Sequence, residues 1–364
     1  MSKEILCIVG TRPEVIKMAP VIHALRKVDN FSVRVLSSGQ HRELLIPLID
    51  WFELTIDADL QVMSENQTLA ELTARLMRGF DARFKQSRPD LVLAQGDTTT
   101  VMCAALCCFY NNIPFGHVEA GLRTFDIRNP FPEEFNRVAV GQLSQLHFCP
   151  TTRSRENVIN DHISESSAFL TGNTVIDALL YTTQKLVSQT ARKFDHDILL
   201  TAHRRENFGM PLENICSAVL DLCKKYPDLR VFFPVHPNPN VRSEVDRLLG
   251  NNRQITLSAP LDYPELVAAM QQARIILTDS GGIQEEAPAL GKPVLVLRSV
   301  TERPEAIEMG AAKLVGTERA LITEEVSRLL EDASYYKDMA KGVSPYGDGQ
   351  AADRIKNIVS QYLG

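Results

Sequence analysis

The chain has no hydrophobic run long enough for a membrane helix: the longest candidate, residues 101–110, is about half the length required. Its seven cysteines form no C-x-x-C pair and no His–Cys spacing of a metal site. Scattered and odd in number, they read as small core residues in a reducing compartment. There is no excess of positive charge. A formal net charge of -6 argues against a general affinity for nucleic acid or an anionic membrane. The opening Met1-Ser2-Lys3-Glu4 lacks a signal-peptide pattern, so the expectation is a cytoplasmic protein. What is present is ordinary globular composition, 44% hydrophobic and 23% charged. At 364 residues the chain is too long for one ordinary core, and two domains are expected.

Apolar runs alternate with helical patterns from end to end. Ile5-Leu6-Cys7-Ile8-Val9-Gly10 is continuously apolar, as a strand covered on both faces should be. A helix with an apolar face of Val15, Ile16, Ala19, Ile22 and Leu25 follows from about Pro13. Further strands are expected at 33–37, 91–95, 115–119, 147–150 and 169–172. A second series falls at 198–202, 230–236, 255–258, 275–279, 293–297 and 313–315. Strands separated by helices imply right-handed parallel βαβ units. The fold class is therefore α/β, with two Rossmann-like doubly wound domains facing across a cleft. The expected domains are 1–172 and 173–345, and the pattern alone leaves open which of them the amphipathic helix in 346–364 packs on. Ligands of such sheets sit beyond the carboxyl ends of the strands, so the chemistry should lie there.

Several strand ends carry reactive side chains. Gly10-Thr11-Arg12-Pro13-Glu14 opens a helix whose free N–H groups, with Arg12 and Lys17, suit an anion; a turn with two surface cations is the alternative. In Gln95-Gly96-Asp97-Thr98-Thr99-Thr100, Asp97 suits either a helix N-cap or chemistry. Glu119 ends an apolar strand in His117-Val118-Glu119-Ala120, either solvated at the sheet rim or placed for a reaction, and Asp126, Glu133 and Glu134 follow closely. His203-Arg204-Arg205 and His236 stand at later strand ends and suit a negatively charged ligand. Thr278-Asp279-Ser280-Gly281-Gly282 is the strongest local signal, since bare backbone N–H groups there can approach a phosphate closely. Glu286 lies at reach for ribose hydroxyls, and Arg303 is a further phosphate contact. Gly347-Asp348-Gly349-Gln350-Ala351-Ala352 formally fits a dinucleotide fingerprint, but no strand precedes it and no βαβ unit can be built around it.

Taken together, GTRPEVIKMAP, SSGQHREL, QGDTTT, GHVEAGLRT, PEEFNR, TGNTVIDAL, HRREN, PVHPNPNV, LTDSGGIQEEAPALGKPVLVLR, TERPEA and PYGDGQA resemble the non-hydrolysing UDP-N-acetylglucosamine 2-epimerases of bacteria. The resemblance implies a GT-B-like fold whose last helix crosses back to the first domain. It implies interconversion of UDP-N-acetylglucosamine and UDP-N-acetylmannosamine without NAD or metal, hence no cofactor, in supply of surface polysaccharide. It also implies a homodimer, with no nucleic-acid or membrane partner. Carried over by motif, Asp97, Glu119 and Glu133 are the acid–base carboxylates, and His203 assists near the departing phosphate. Arg12, Lys17, Ser280, Gly281, Gly282 and Arg303 hold the diphosphate and sugar, with Glu286 on the ribose. Gln40, His41, Arg204 and His236 match a regulatory substrate site, although Glu43 and Asn66 depart from the family there. Around residues 261–266, where uracil contacts are expected, the chain differs from members that use an aromatic residue there, which leaves the base contacts to the backbone.

Four alternatives stay open on sequence alone. A hydrolysing epimerase would release free N-acetylmannosamine, and a close relative would act on a modified UDP-sugar such as a 2,3-diacetamido uronic acid. A GT-B glycosyltransferase would need an acceptor groove rather than three carboxylates at the sugar. A non-catalytic nucleotide-sugar binding module would have no use for the acid–base set.

Overall fold

The structure is a computed structural model that describes residues 2–39, 42–64, 66–188, 192–301 and 303–364. The chain divides into two compact units, residues 1–178 with 346–364, and residues 179–345. No helix among the described residues is long and apolar enough to cross a membrane.

The first unit alternates strand and helix: β1 (Lys3–Val9), α1 (Arg12–Arg26), β2 (Phe31–Ser37), α2 (Arg42–Trp51), β3 (Ala58–Asp59), α3 (Leu69–Gln86), β4 (Leu91–Gln95) and α4 (Thr99–Tyr110). It continues with β5 (Phe115–Val118), α5 (Glu133–Leu143), β6 (Leu146–Cys149), α6 (Thr152–Asn160) and β7 (Ala168–Leu170), and α7 (Thr174–Ser188) carries the chain from the first unit into the second. The sheet order is β3-β2-β1-β4-β5-β6-β7, and its strand pairs are parallel. The order reverses between β1 and β4, so the loops leaving those two strands diverge and open a crevice at their carboxyl ends.

The second unit runs β8 (Ile198–Thr201), α8 (Met210–Lys225), β9 (Val231–Pro234), α9 (Pro239–Leu249), β10 (Ile255–Ser258), α10 (Tyr263–Gln272) and β11 (Ile275–Thr278). Then come α11 (Gly281–Glu286), β12 (Val294–Val296), α12 (Pro304–Glu308), β13 (Ala312–Leu314), α13 (Arg319–Glu331) and α14 (Ala333–Met339), and α15 (Ala351–Leu363) returns to the first unit. Its parallel sheet has the order β10-β9-β8-β11-β12-β13, with the reversal between β8 and β11.

Burial explains the patterns. Residues Ile5, Leu6, Cys7, Ile8 and Val9 of β1 are all buried because helices cover the sheet on both faces. Helix α3 presents Leu72, Leu76, Phe80 and Phe84 at four-residue spacing to that sheet and to α4. Each fully buried side chain of this size contributes about 1.5–3 kcal/mol. All seven cysteines are free and buried. Burial pushes the thiols of Cys7, Cys103, Cys149 and Cys216 up to about 12, so they pack as small apolar groups.

Candidate active site

The first unit gathers its polar groups at the β1/β4 reversal and the adjoining end of β5. Glu119 follows β5 and is 8% exposed, so it is not a solvated rim residue. Its φ of 66° is left-handed, a conformation uncommon for a residue with a side chain and often kept where function demands it. The Lys17 ammonium donates to its Oε1 at 2.6 Å, Asn173 Nδ2 donates to the same oxygen at 3.0 Å, and Gln95 Nε2 donates to Oε2. Lys17, expected on the substrate anion, is thus engaged with a carboxylate.

Asp97 does not cap α4. That role belongs to Thr98, whose hydroxyl accepts from the Val101 N–H. The Asp97 carboxylate instead accepts from Arg137 Nη2 at 2.7 Å, and its carbonyl accepts from Asn136 Nδ2 at 2.8 Å. Burial raises the Asp97 carboxyl above its ordinary range; Glu119 and Glu133 add to the shift while Arg137 and Lys17 oppose it. His117, buried and pushed down to about 3 by that burial, stays neutral with Nε2 2.7 Å from the Gly96 carbonyl, beside Asp97.

Glu133 and Glu134 both lie in the first turn of α5 and do different work. Glu134 is buried, accepts from the Thr124 and Phe125 N–H groups at 3.1 and 3.0 Å, and lies 3.4 Å from Arg137. It holds the preceding loop. Glu133 is the one whose charge acts on Asp97. Asp126 is exposed and its carboxylate accepts from the Arg128 N–H, a local turn rather than a site contact.

Arg12 begins α1, half-buried beside this group. Next to it, Glu14 is 2% exposed. Its Oε2 accepts from the Gly10 N–H and, at 2.9 Å, from the Thr11 N–H, while Thr98 Oγ1 donates to Oε1 at 2.6 Å. Burial outweighs these hydrogen bonds and pushes the Glu14 carboxyl up to about 7.

In the second unit the groups gather at the β8/β11 reversal. Asp279 is fully buried. Its Oδ2 accepts from the His203 and Arg204 N–H groups at 2.8 and 2.9 Å and from Asn207 Nδ2 at 2.9 Å. His203 Nδ1 stands 2.8 Å from Oδ1. Burial acts to raise Asp279, but His203 and those backbone donors outweigh it and hold the carboxyl below its usual range. With Nδ1 directed at a carboxylate, the nitrogen left for chemistry is Nε2. The imidazole is 46% exposed.

Ser280 is the N-cap residue of α11. The Arg303 guanidinium lies against Gly281, where an added Cβ would stand 2.7 Å from Nη1, and Arg303 Nε donates to buried Glu285. Gly282 is open apart from Glu286 Oε1, 3.5 Å from where its Cβ would be. Glu286 is buried and accepts from the Tyr263 hydroxyl at 2.8 Å. Thr301 donates to Gln284 at 2.7 Å and accepts from the Arg303 N–H at 3.1 Å, fixing the strap that carries Arg303.

Of the regulatory candidates, Gln40 and His41 lie outside the described residues. Arg204 Nε donates to the Asp279 carbonyl at 3.1 Å, which puts it in the His203 cluster. His236 Nδ1 accepts from the Asn238 N–H at 3.2 Å. Among the described residues no three His, Cys, Asp or Glu side chains converge as a metal site. Sequence reasoning missed Glu14, Gln95, Arg137 and Asn173 in the first unit and Asp279, Asn207 and Tyr263 in the second. Most stood inside the quoted motifs, and what was hidden was their pairing.

Two doubly wound parallel sheets, one with clustered carboxylates and one with a His–Asp pair beside a Ser-Gly-Gly turn, define a GT-B-type α/β enzyme. Residues 23–360 match the model of the UDP-N-acetylglucosamine 2-epimerase family, and the chain belongs to that family. It is 48% identical over 364 residues to the UDP-N-acetylglucosamine 2-epimerase of Escherichia coli K12, covering 97% of each chain. The crystal structure of the Neisseria meningitidis UDP-GlcNAc 2-epimerase bound to UDP-GlcNAc is similar at a TM-score of 0.90 and 45% identity, covering 99% of each chain. A glycotransferase of kitacinnamycin, 11% identical with a TM-score of 0.69 over 100% of both chains, shows the fold alone.

Proposed function

We propose that the protein interconverts UDP-N-acetylglucosamine and UDP-N-acetylmannosamine by eliminating UDP and adding it back. The hydrogen at C2 of the sugar is not flanked by a carbonyl, so no simple enolate can form. As the C1–O bond to the β-phosphate breaks, oxocarbenium character at C1 acidifies that C–H. A carboxylate takes the proton, the C–H electron pair becomes the C1–C2 double bond of 2-acetamidoglucal, and UDP keeps the C1–O pair. A proton delivered to C2 from the opposite face and return of the phosphate oxygen to C1 complete inversion. No net oxidation occurs.

Two faces require two acid–base groups. Glu119, with an ammonium and two amide donors on its oxygens, is placed to act as a carboxylate. Asp97, raised by burial and by Glu119 and Glu133, is suited to hold and return a proton. The observation that carries this reading is the clustering of these carboxylates, with Glu119 held by three donors and Asp97 raised by burial and by its two acidic neighbours. Arg12 neutralises phosphate charge, and the Ser280-Gly281-Gly282 turn with Arg303 holds the diphosphate. Glu286 and Tyr263 face the nucleoside. His203, oriented by Asp279, assists the departing phosphate through Nε2. The homodimer and the cytoplasmic location belong to the same reading, and light scattering on the purified protein checks the first.

Proton NMR with UDP-N-acetylglucosamine in D₂O tests the proposal. UDP-N-acetylmannosamine deuterated at C2 is the expected product. Free N-acetylmannosamine with UDP would place the protein with hydrolysing epimerases, and no product with no C2 exchange would overturn the substrate.

A further inference from the structure

The motifs TGNTVIDAL and PYGDGQA lie far apart in the chain, and the mechanism above takes from them only the Asn173 amide on Glu119. In the first unit they meet. The Asn173 N–H donates to the Tyr346 carbonyl at 2.6 Å. Asp177, four residues on, accepts from the Ala352 N–H at 2.9 Å and the Ala351 N–H at 3.3 Å, capping α15. Arg354 binds the Thr171 carbonyl at 3.0 Å and both oxygens of Asp348. Both facing glycines have a positive φ, 146° at Gly347 and 87° at Gly172, so a side chain at either would be strained, and the two backbones lie in van der Waals contact: a Cβ on Gly347 would stand 3.4 Å from the Asn173 nitrogen, and one on Gly172 3.4 Å from Gly347 Cα. Tyr346 is 3% and Asn173 2% exposed.

Asn173 carries this docking to the chemistry. Its Oδ1 accepts from the Val175 N–H at 3.1 Å, which fixes the amide so that Nδ2 donates to Glu119 Oε1 at 3.0 Å. Lys17, Gln95 and Asn173 all donate to the Glu119 carboxylate, and of these Asn173 is the one whose backbone is tied to the returning segment. We propose that Asn173 is a positioning residue for Glu119, and that the returning segment around Tyr346 and Gly347 sets where Asn173 stands. Catalytic competence therefore depends on the C-terminal segment being docked on the first unit. The inference rests on the epimerase reading, because it assigns Glu119 a proton to move.

The test uses the full-length protein with UDP-N-acetylglucosamine in D₂O, comparing the wild type with Asn173→Ala, Asn173→Asp and Gly347→Ala. For Asn173→Ala, kcat should fall on the order of 10²-fold, as for a misplaced catalytic group, while UDP affinity by calorimetry holds within about twofold. Asn173→Asp sets a second carboxylate against Glu119, so the acid limb of the kcat–pH profile should move up by about one pH unit. Gly347→Ala should lower kcat, and combined with Asn173→Ala should add little, as for two changes in one network. A purely structural role would lower the urea midpoint without moving the pH profile. If Asn173→Ala fails to fold, the near-isosteric Asn173→Asp decides. Exchange by the wild type with an unmoved acid limb in Asn173→Asp overturns this inference alone. Absence of C2 exchange in the wild type overturns the epimerase reading and the inference with it.

Discussion

The Lys17 ammonium and the Glu119 carboxylate form a buried ion pair at 2.6 Å, with side chains 11% and 5% exposed. Removing one member of such a pair leaves the other charge without its counter-ion in a poorly solvated place. Lys17→Met should therefore cost about 3–5 kcal/mol of unfolding free energy, read from urea denaturation. Surviving folded enzyme should show a kcat–pH profile whose acid limb lies higher than in the wild type, because Glu119 no longer has an ammonium favouring its charged form. Retention of both stability and profile would mean that the pair is incidental.

Glu133 and Glu134 are adjacent in sequence, and their variants should behave oppositely. Glu133→Gln removes one of the charges that raise Asp97, so the Asp97 carboxyl should titrate at lower pH. The basic limb of the kcat profile should move down with it, at nearly unchanged stability. Glu134→Gln weakens the contact with Arg137 and the anchor on Thr124 and Phe125, so it should lower the unfolding free energy by about 1–3 kcal/mol, read from urea denaturation. A profile shift in Glu134→Gln larger than that in Glu133→Gln would reverse the assignment.

Gly281 tests the turn proposed to bind phosphate. An alanine Cβ there would stand 2.7–3.2 Å from guanidinium atoms of Arg303. The guanidinium is the end of a flexible side chain and can move, so Gly281→Ala should fold normally. It should displace Arg303 from the turn and from Glu285. Loss of a hydrogen bond to a charged group costs about 1.5–3 kcal/mol, which corresponds to roughly one to two decades in UDP affinity by calorimetry. Unchanged affinity would place the diphosphate elsewhere.

How far the sequence carried this structure depends on distance along the chain. The strands at Leu91–Gln95 and Ile255–Ser258 fall where short apolar runs meet turn residues, and the pattern found them to the residue. Strand β3, Ala58–Asp59, went unseen because two residues at a sheet edge have no periodicity to detect. Candidate site residues were legible wherever a polar side chain interrupts the end of an apolar strand, as at Asp97, Glu119 and His203. Their partners were not. Lys17 and Glu119 stand 102 positions apart, and His203 and Asp279 stand 76 apart. Those distances close only through the sheet order, which brings β4 beside β1 and β11 beside β8. The choice between Glu133 and Glu134 turns on which way each points from one helical turn, and charge alone does not encode that.

Glu14 gives a prediction of unusual sign. Most native carboxylates titrate lower when folded, and stability is lost on acidification. Glu14 is shifted the other way, from 4.5 to about 7, because desolvation outweighs its hydrogen bonds to Thr98, Thr11 and Gly10. A carboxyl that holds its proton more tightly in the fold imposes no penalty below its unfolded value. The penalty grows as pH rises from about 4.5 and is complete above about 7. A shift of this size corresponds to about 3 kcal/mol, as an order of magnitude. Glu14→Gln keeps an oxygen to accept from the Gly10 and Thr11 N–H groups and an amide to face Thr98, but cannot ionise. Its urea midpoint should match the wild type near pH 4 and exceed it at pH 8. Equal midpoints at both values would show that the wild-type carboxylate is as well solvated in the fold as outside it. A wild type that is the more stable at pH 8 would show that its charge is stabilised by the N–H groups after all.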